Sequence, residues 1–71
     1  MSGTTIPRLQ VRALVHADET GGYWAEVPAI PGCYTQADSL DELVANLVDA
    51  VAAHQGLPKS DVTVAALEMA Q

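Results

Sequence analysis

The chain has no phenylalanine, one cysteine and only three basic residues in 71. Each scarcity excludes something. Cys33, being alone, rules out an intrachain disulfide, and a lone thiol suits a reducing compartment. His16 and His54 stand without a cysteine or carboxylate cluster at ligand spacing, so neither a metal nor a cofactor is expected. Arg8, Arg12 and Lys59 face nine acidic residues, a net charge of −6. Nucleic-acid binding draws most of its affinity from Lys and Arg on phosphates, so direct contact with DNA or RNA is not expected. No apolar run approaches the roughly 20 residues that span a bilayer, and residues 1–7 lack the basic start and apolar stretch of a signal peptide. The location these features imply is cytoplasmic.

A chain this short buries only about 60% of the surface its unfolded form exposes. Domains of this size usually add disulfides, a metal or an oligomer interface. With the first two disfavoured, self-association is the remaining remedy. The acidic balance itself has two readings, a solubilising surface or a field that attracts a basic partner.

Residues 1–7 read as a disordered tail and residues 8–71 as one domain. From Leu9 the chain alternates: Leu9, Val11, Ala13, Val15 and Ala17 point one way, and Arg8, Gln10, Arg12, Leu14 and His16 the other. A period of two marks a half-buried strand. Asp18 to Gly22 supplies a turn, and Tyr23, Ala25 and Val27 form one face of the returning strand with Trp24 and Glu26 opposite, so residues 8–28 form a hairpin. Pro28 ends that strand because it has no N–H for the ladder. Pro31 and Gly32 make a second turn, followed by a short third strand from Cys33 to Gln36.

Ser39 with Glu42 three residues later is a capping box. After it Leu40, Leu43, Val44, Leu47, Val48 and Val51 recur at helical spacing, until Gly56 and Pro58 stop the helix near Gln55. Asp61 to Leu67 reads as a fourth strand, with Val62, Val64 and Ala66 on one face and a weakly polar opposite face that something covers. The expected fold is α+β: a three-stranded antiparallel meander, one helix packed on the sheet, and a fourth strand (β-β-β-α-β).

Nothing in the sequence resembles a catalytic set. Asp18, Glu26, Asp41 and Asp49 are scattered over a turn, a strand and a helix exterior, whereas two-metal chemistry needs carboxylates converging on ions about 4 Å apart. Cys33 has no nearby base to activate it and reads as a structural thiol, and both histidines read as surface residues. Trp24 stands apart. It falls on the sheet face away from the helix, where it is either an interface anchor or local cover against Leu14.

Tyr23, Ala25, Val27, Pro28, Pro31, Gly32, Cys33, Thr35, Asp38, Glu42 and Asn46 stand in an order that resembles the amino-terminal domain of the HicB antitoxin family. The resemblance covers about residues 9 to 67. Ala29, Ala37 and Leu43 depart from the family pattern, which usually has an acid, a glycine and an alanine there. The resemblance implies a partial ribonuclease-H-like fold without that enzyme's acidic centre. It also implies binding and neutralising a small basic HicA-like, RNA-cleaving toxin, and the expected mode is occlusion by a self-associated chain. Many HicB proteins continue into a DNA-binding module that is not seen here, so no operator binding is expected. On this reading Trp24 and Tyr34 anchor the partner and Glu26 faces its basic surface, while Pro28, Pro31, Gly32, Ser39, Glu42 and Asn46 hold the scaffold. The competing expectation is an orphan oligomeric scaffold with no toxin partner.

Overall fold

The computed structural model describes residues 9–70. The tail read at residues 1–7 and Arg8 at the head of the hairpin lie outside them. The elements are β1 (Leu9–Ala17), β2 (Tyr23–Glu26), β3 (Tyr34–Ala37), α1 (Leu40–Gln55), a single 3-10 turn (Lys59–Asp61) and β4 (Val62–Met69). The sheet order is β3-β2-β1-β4. β1 with β2 and β2 with β3 pair antiparallel, as the meander requires, while β4 runs parallel to β1. The α+β class and the β-β-β-α-β order stand as expected, and the sheet is mixed. A parallel return needs a long crossover, and α1 supplies it, so the helix lies across one face of the sheet.

The core follows from that geometry. Leu43, Leu47, Val51 and Ala52 of the helix are buried against Val11, Ala13 and Val15 of β1, Ala25 of β2 and Val62 of β4. Leu43 and Leu47 have no exposed surface, and burying each contributes about 1.5–3 kcal/mol. Leu40, in the middle of the apolar stripe but in the first turn, stays exposed. Val27, Ile30 and Cys33 fold the 27–33 loop back onto the core through the bonds Val27 N–H to Cys33 carbonyl (3.0 Å) and Ile30 N–H to Val27 carbonyl (2.9 Å). Pro28, Pro31 and Gly32 form the exposed side of that loop. β3 begins at Tyr34, one residue later than the sequence suggests, because Cys33 belongs to the loop closure.

The Ser39 hydroxyl accepts from the Glu42 N–H (3.2 Å), as a cap should. The Glu42 carboxylate accepts from the N–H of Asp38, one residue before the cap, at 3.2 Å. Asn46 reaches back to donate from Nδ2 to the Gln36 carbonyl (3.1 Å) and ties α1 to β3. At the other end Gly56 takes the left-handed conformation (φ 69°), and its N–H closes on the Ala52 carbonyl.

One irregularity changes a face assignment. The β1–β4 register slips by one residue between Val11 and Arg12, leaving Ala65 as the extra residue of a bulge. Leu67 therefore pairs with Ala13 on the helix side, and Ala66 and Glu68 turn to the other face. The face beyond the bulge is less apolar than the unbroken alternation suggests, since Glu68 pairs there with Arg12.

Gly22 and Gly56 both have positive φ, but their surroundings differ. A Cβ at Gly22 would sit 2.8 Å from the Ala37 carbonyl oxygen, whereas nothing lies within 4 Å of one at Gly56. Gly56→Ala is expected to cost about 1 kcal/mol, the left-handed penalty alone. Gly22→Ala should cost at least about 2 kcal/mol, because a backbone clash adds to that penalty. Urea unfolding of the two variants measures the difference, and equal midpoints would contradict the close approach.

Candidate interaction surface

The face of the sheet opposite the helix is built by register. His16 of β1 lies opposite Trp24 of β2, which lies opposite Gln36 of β3. In the next row Leu14, Glu26 and Tyr34 are aligned in the same way. Side chains of cross-strand partners share a face, so six residues from three strands meet on one surface. Among the described residues no second helix lies over it.

The rows are tied together by His16. Its ring stacks on the Trp24 indole, with centroids 3.9 Å apart and planes inclined by 8°. Its Nε2 lies 3.0 Å from Glu26 Oε2. An ionised carboxylate can only accept, so Nε2 carries the hydrogen and donates. One imidazole thus fixes the orientation of both the indole and the carboxylate. Trp24 remains 37% exposed and Tyr34 68% exposed, and an open groove runs between them, lined by Trp24, Glu26, Tyr34, Thr35 and Gln36.

Trp24, Glu26 and Tyr34, singled out from the sequence, come together in this groove. Trp24 stacks on His16. His16, read as an ordinary surface residue, is the member that the sequence reading missed. The signal was available, since the period of two put it on the open face and hairpin pairing put it beside Trp24. His54 is exposed near the helix end, with Nδ1 3.3 Å from Gln55 Nε2. Pro28, Pro31, Gly32, Ser39, Glu42 and Asn46 lie in the loop, the cap and the helix–strand tie described above, and do not themselves line the groove, though Asn46 holds the backbone of Gln36, which does.

The charges elsewhere are arranged differently. Arg12 pairs with Glu68, and Lys59 with Asp49 at 2.8 Å, a bond that raises the Lys59 pKa. Among the described residues these are the two basic side chains other than histidine, and each is matched to an acid at the surface. No group of three His, Cys, Asp or Glu is placed to hold a metal ion among the described residues. No helix of the described chain is long and apolar enough to cross a membrane.

Cys33 is buried, with 4% exposure, and burial pushes its thiol pKa up from the ordinary value. The unfolded chain therefore loses this proton first as pH rises. Stability from this group is present below the ordinary cysteine pKa of ~8.5 and declines above it. Native Cys33 should react with a thiol reagent at pH 8 at least about tenfold more slowly than in 6 M guanidinium. Cys33→Ala should flatten the alkaline fall in unfolding free energy. A native thiol that reacts at the denatured rate would show that this site is open.

The model of a family described as HicB_like antitoxin of bacterial toxin-antitoxin system matches residues 11–68. A UPF0150 protein of Archaeoglobus fulgidus is 47% identical over 38 residues, covering 54% of this chain and 55% of that protein. The chain thus matches only about half the length of that relative. A UPF0150 protein of Synechocystis is 33% identical across 79% of this chain and 81% of its own length. One of Thermoplasma acidophilum is 35% identical across 65% and 67%. No solved structure matches at a significant level.

Proposed function

The chain belongs to the HicB-like antitoxin family, and from that premise we propose that it binds a small basic, HicA-like RNA-cleaving toxin in the cytoplasm and neutralises it by occlusion. The observation that carries the reading is the open sheet face, where a stacked Trp24, a nearby Tyr34 and the Glu26 carboxylate share one groove on a chain of net charge −6. Aromatic side chains on a prepared surface are the residues that most often dominate binding energy. An acidic chain speeds encounter with a basic partner, and a carboxylate beside aromatic faces suits a lysine or arginine of that partner. The protein acts here as a binding partner and not as an enzyme, and it self-associates to relieve the small core.

Co-purification from the native host with mass spectrometry tests the reading. The expected result is a small basic protein in fixed ratio, whose RNA cleavage stops when this chain is added in equal amount. Trp24→Ala should weaken that complex about 30-fold, while Asp41→Asn on the helix exterior leaves it unchanged. Raising the salt from 50 to 500 mM should weaken it on the order of tenfold, because exposed charges are screened. A chain recovered only with copies of itself, at low salt as well, would favour the orphan scaffold. Affinity indifferent to both salt and Trp24→Ala would show that this face is not the interface.

A further inference from the structure

The two edges of the sheet are finished differently. At the β3 edge the strand is four residues long, and the outward Gln36 carbonyl is already taken by Asn46 of the helix. β4 is eight residues long, carries the Ala65 bulge and Glu68 but no lysine or proline, and among the described residues pairs with β1 on one side only. A long edge is a template for another strand, and a bulge and a lone charge hinder pairing least when the incoming strand carries the same bulge and no opposed acid.

The hydrogen-bonding phase of β4 can be read. The Ala70 N–H donates to the Val15 carbonyl (2.7 Å), with Val15 opposite Met69 and Ala13 opposite Leu67. A parallel ladder in that phase uses the backbone groups of Ala66, Glu68 and Ala70 and aims those of Leu67 and Met69 outward. Before the bulge, Leu9 opposite Val62 and Val11 opposite Val64 keep the same phase on β1, so Val64 and the Val62 carbonyl also aim outward, while the Val62 N–H closes on the Lys59 carbonyl.

These four positions are self-complementary. We infer that β4 pairs antiparallel with β4 of a second copy about a twofold axis between Ala65 and Ala66, making one continuous eight-stranded sheet. Val64 then meets Leu67 of the second copy as a full hydrogen-bonded pair, and Val62 meets Met69 through the Val62 carbonyl alone, because its N–H is held by the Lys59 carbonyl; all four side chains lie on the helix side. Thr63 meets Glu68 of the second copy on the open face, so no acid of β4 opposes another. The two bulges lie side by side at the axis. Both aromatic grooves then face the same way, with their β2 strands five spacings, about 24 Å, apart, a bivalent surface. The inference specifies the self-association in the proposed function and rests on it, but it needs no toxin.

Sedimentation and oxidative cross-linking of the full chain test it. The wild type should sediment at twice its 7.4 kDa, and the dimer should tighten as salt screens two chains of charge −6, the opposite of the response expected for a basic partner. Ala65→Glu places like charges across the axis at an exposed position and should weaken dimerisation about tenfold or more. The double variant Thr63→Cys/Glu68→Cys should oxidise to a covalent dimer, since directly opposed non-bonded positions have Cα atoms within disulfide range, whereas either single variant should not. A monomeric wild type overturns the inference. So does a dimer that ignores Ala65→Glu and fails to cross-link in the double variant. Failure to find a toxin leaves these results standing.

Discussion

A single helix can cover one face of a four-stranded sheet and no more. That constraint governs the rest of the described molecule. On the covered side lie the alternate residues of β1 and β2 with Leu43, Leu47 and Val51. On the open side the same alternation presents His16, Trp24, Glu26 and Tyr34. Core and surface groove are two products of one register. A one-residue slip between β1 and β2 would put the two strands out of phase, either burying Glu26 beside Val15 or exposing Val15 beside Glu26. The turn that sets this register depends on Gly22, whose missing Cβ lets the hairpin lie against Ala37.

The open face does not consist of loosely scattered side chains. His16 holds Trp24 by stacking and Glu26 by hydrogen bonding, so the groove exists before anything enters it. A surface ordered in advance loses less side-chain entropy on binding. The same histidine makes the face amphiphilic at close range, with an aromatic plane and a carboxylate held a few ångströms apart. That combination is more discriminating than either group alone. An apolar ligand would leave Glu26 poorly solvated, and a small hydrophilic cation would waste the indole.

Much of this was legible in the sequence, for identifiable reasons. The Ser39–Glu42 cap and the Gly56 stop bound the helix because both depend on local chemistry, and Leu40–Gln55 matches the expected limits. The hairpin was legible because alternation and a Gly-Gly turn agree. The parallel pairing of β4 was not, since a strand after a helix carries no mark of its neighbour or its direction. Nor was the bulge at Ala65, where Val-Ala-Ala-Leu fits a period of two or a slipped one equally well. Asn46 could not be placed because a long-range side-chain bond to Gln36 leaves no periodic signal. His16 escaped for a different reason: its partners Trp24 and Glu26 lie eight and ten residues along the chain, near enough in sequence to infer yet visible only when the two strands are laid side by side.

Finally, the bulge connects features that would otherwise be separate. Without it, unbroken alternation would put Ala66 on the helix side and Leu67 on the open face. With it, Leu67 packs against the core and Glu68 reaches Arg12. The exposed ion pair itself contributes little to stability, but its position matters. It neutralises the one strong cation on the open face among the described residues, leaving the field around the groove to Glu26 and the net negative chain. A single inserted alanine therefore both completes the core at the end of β4 and keeps the open face acidic. Stability and the capacity to attract a basic surface meet at the same irregularity in the sheet.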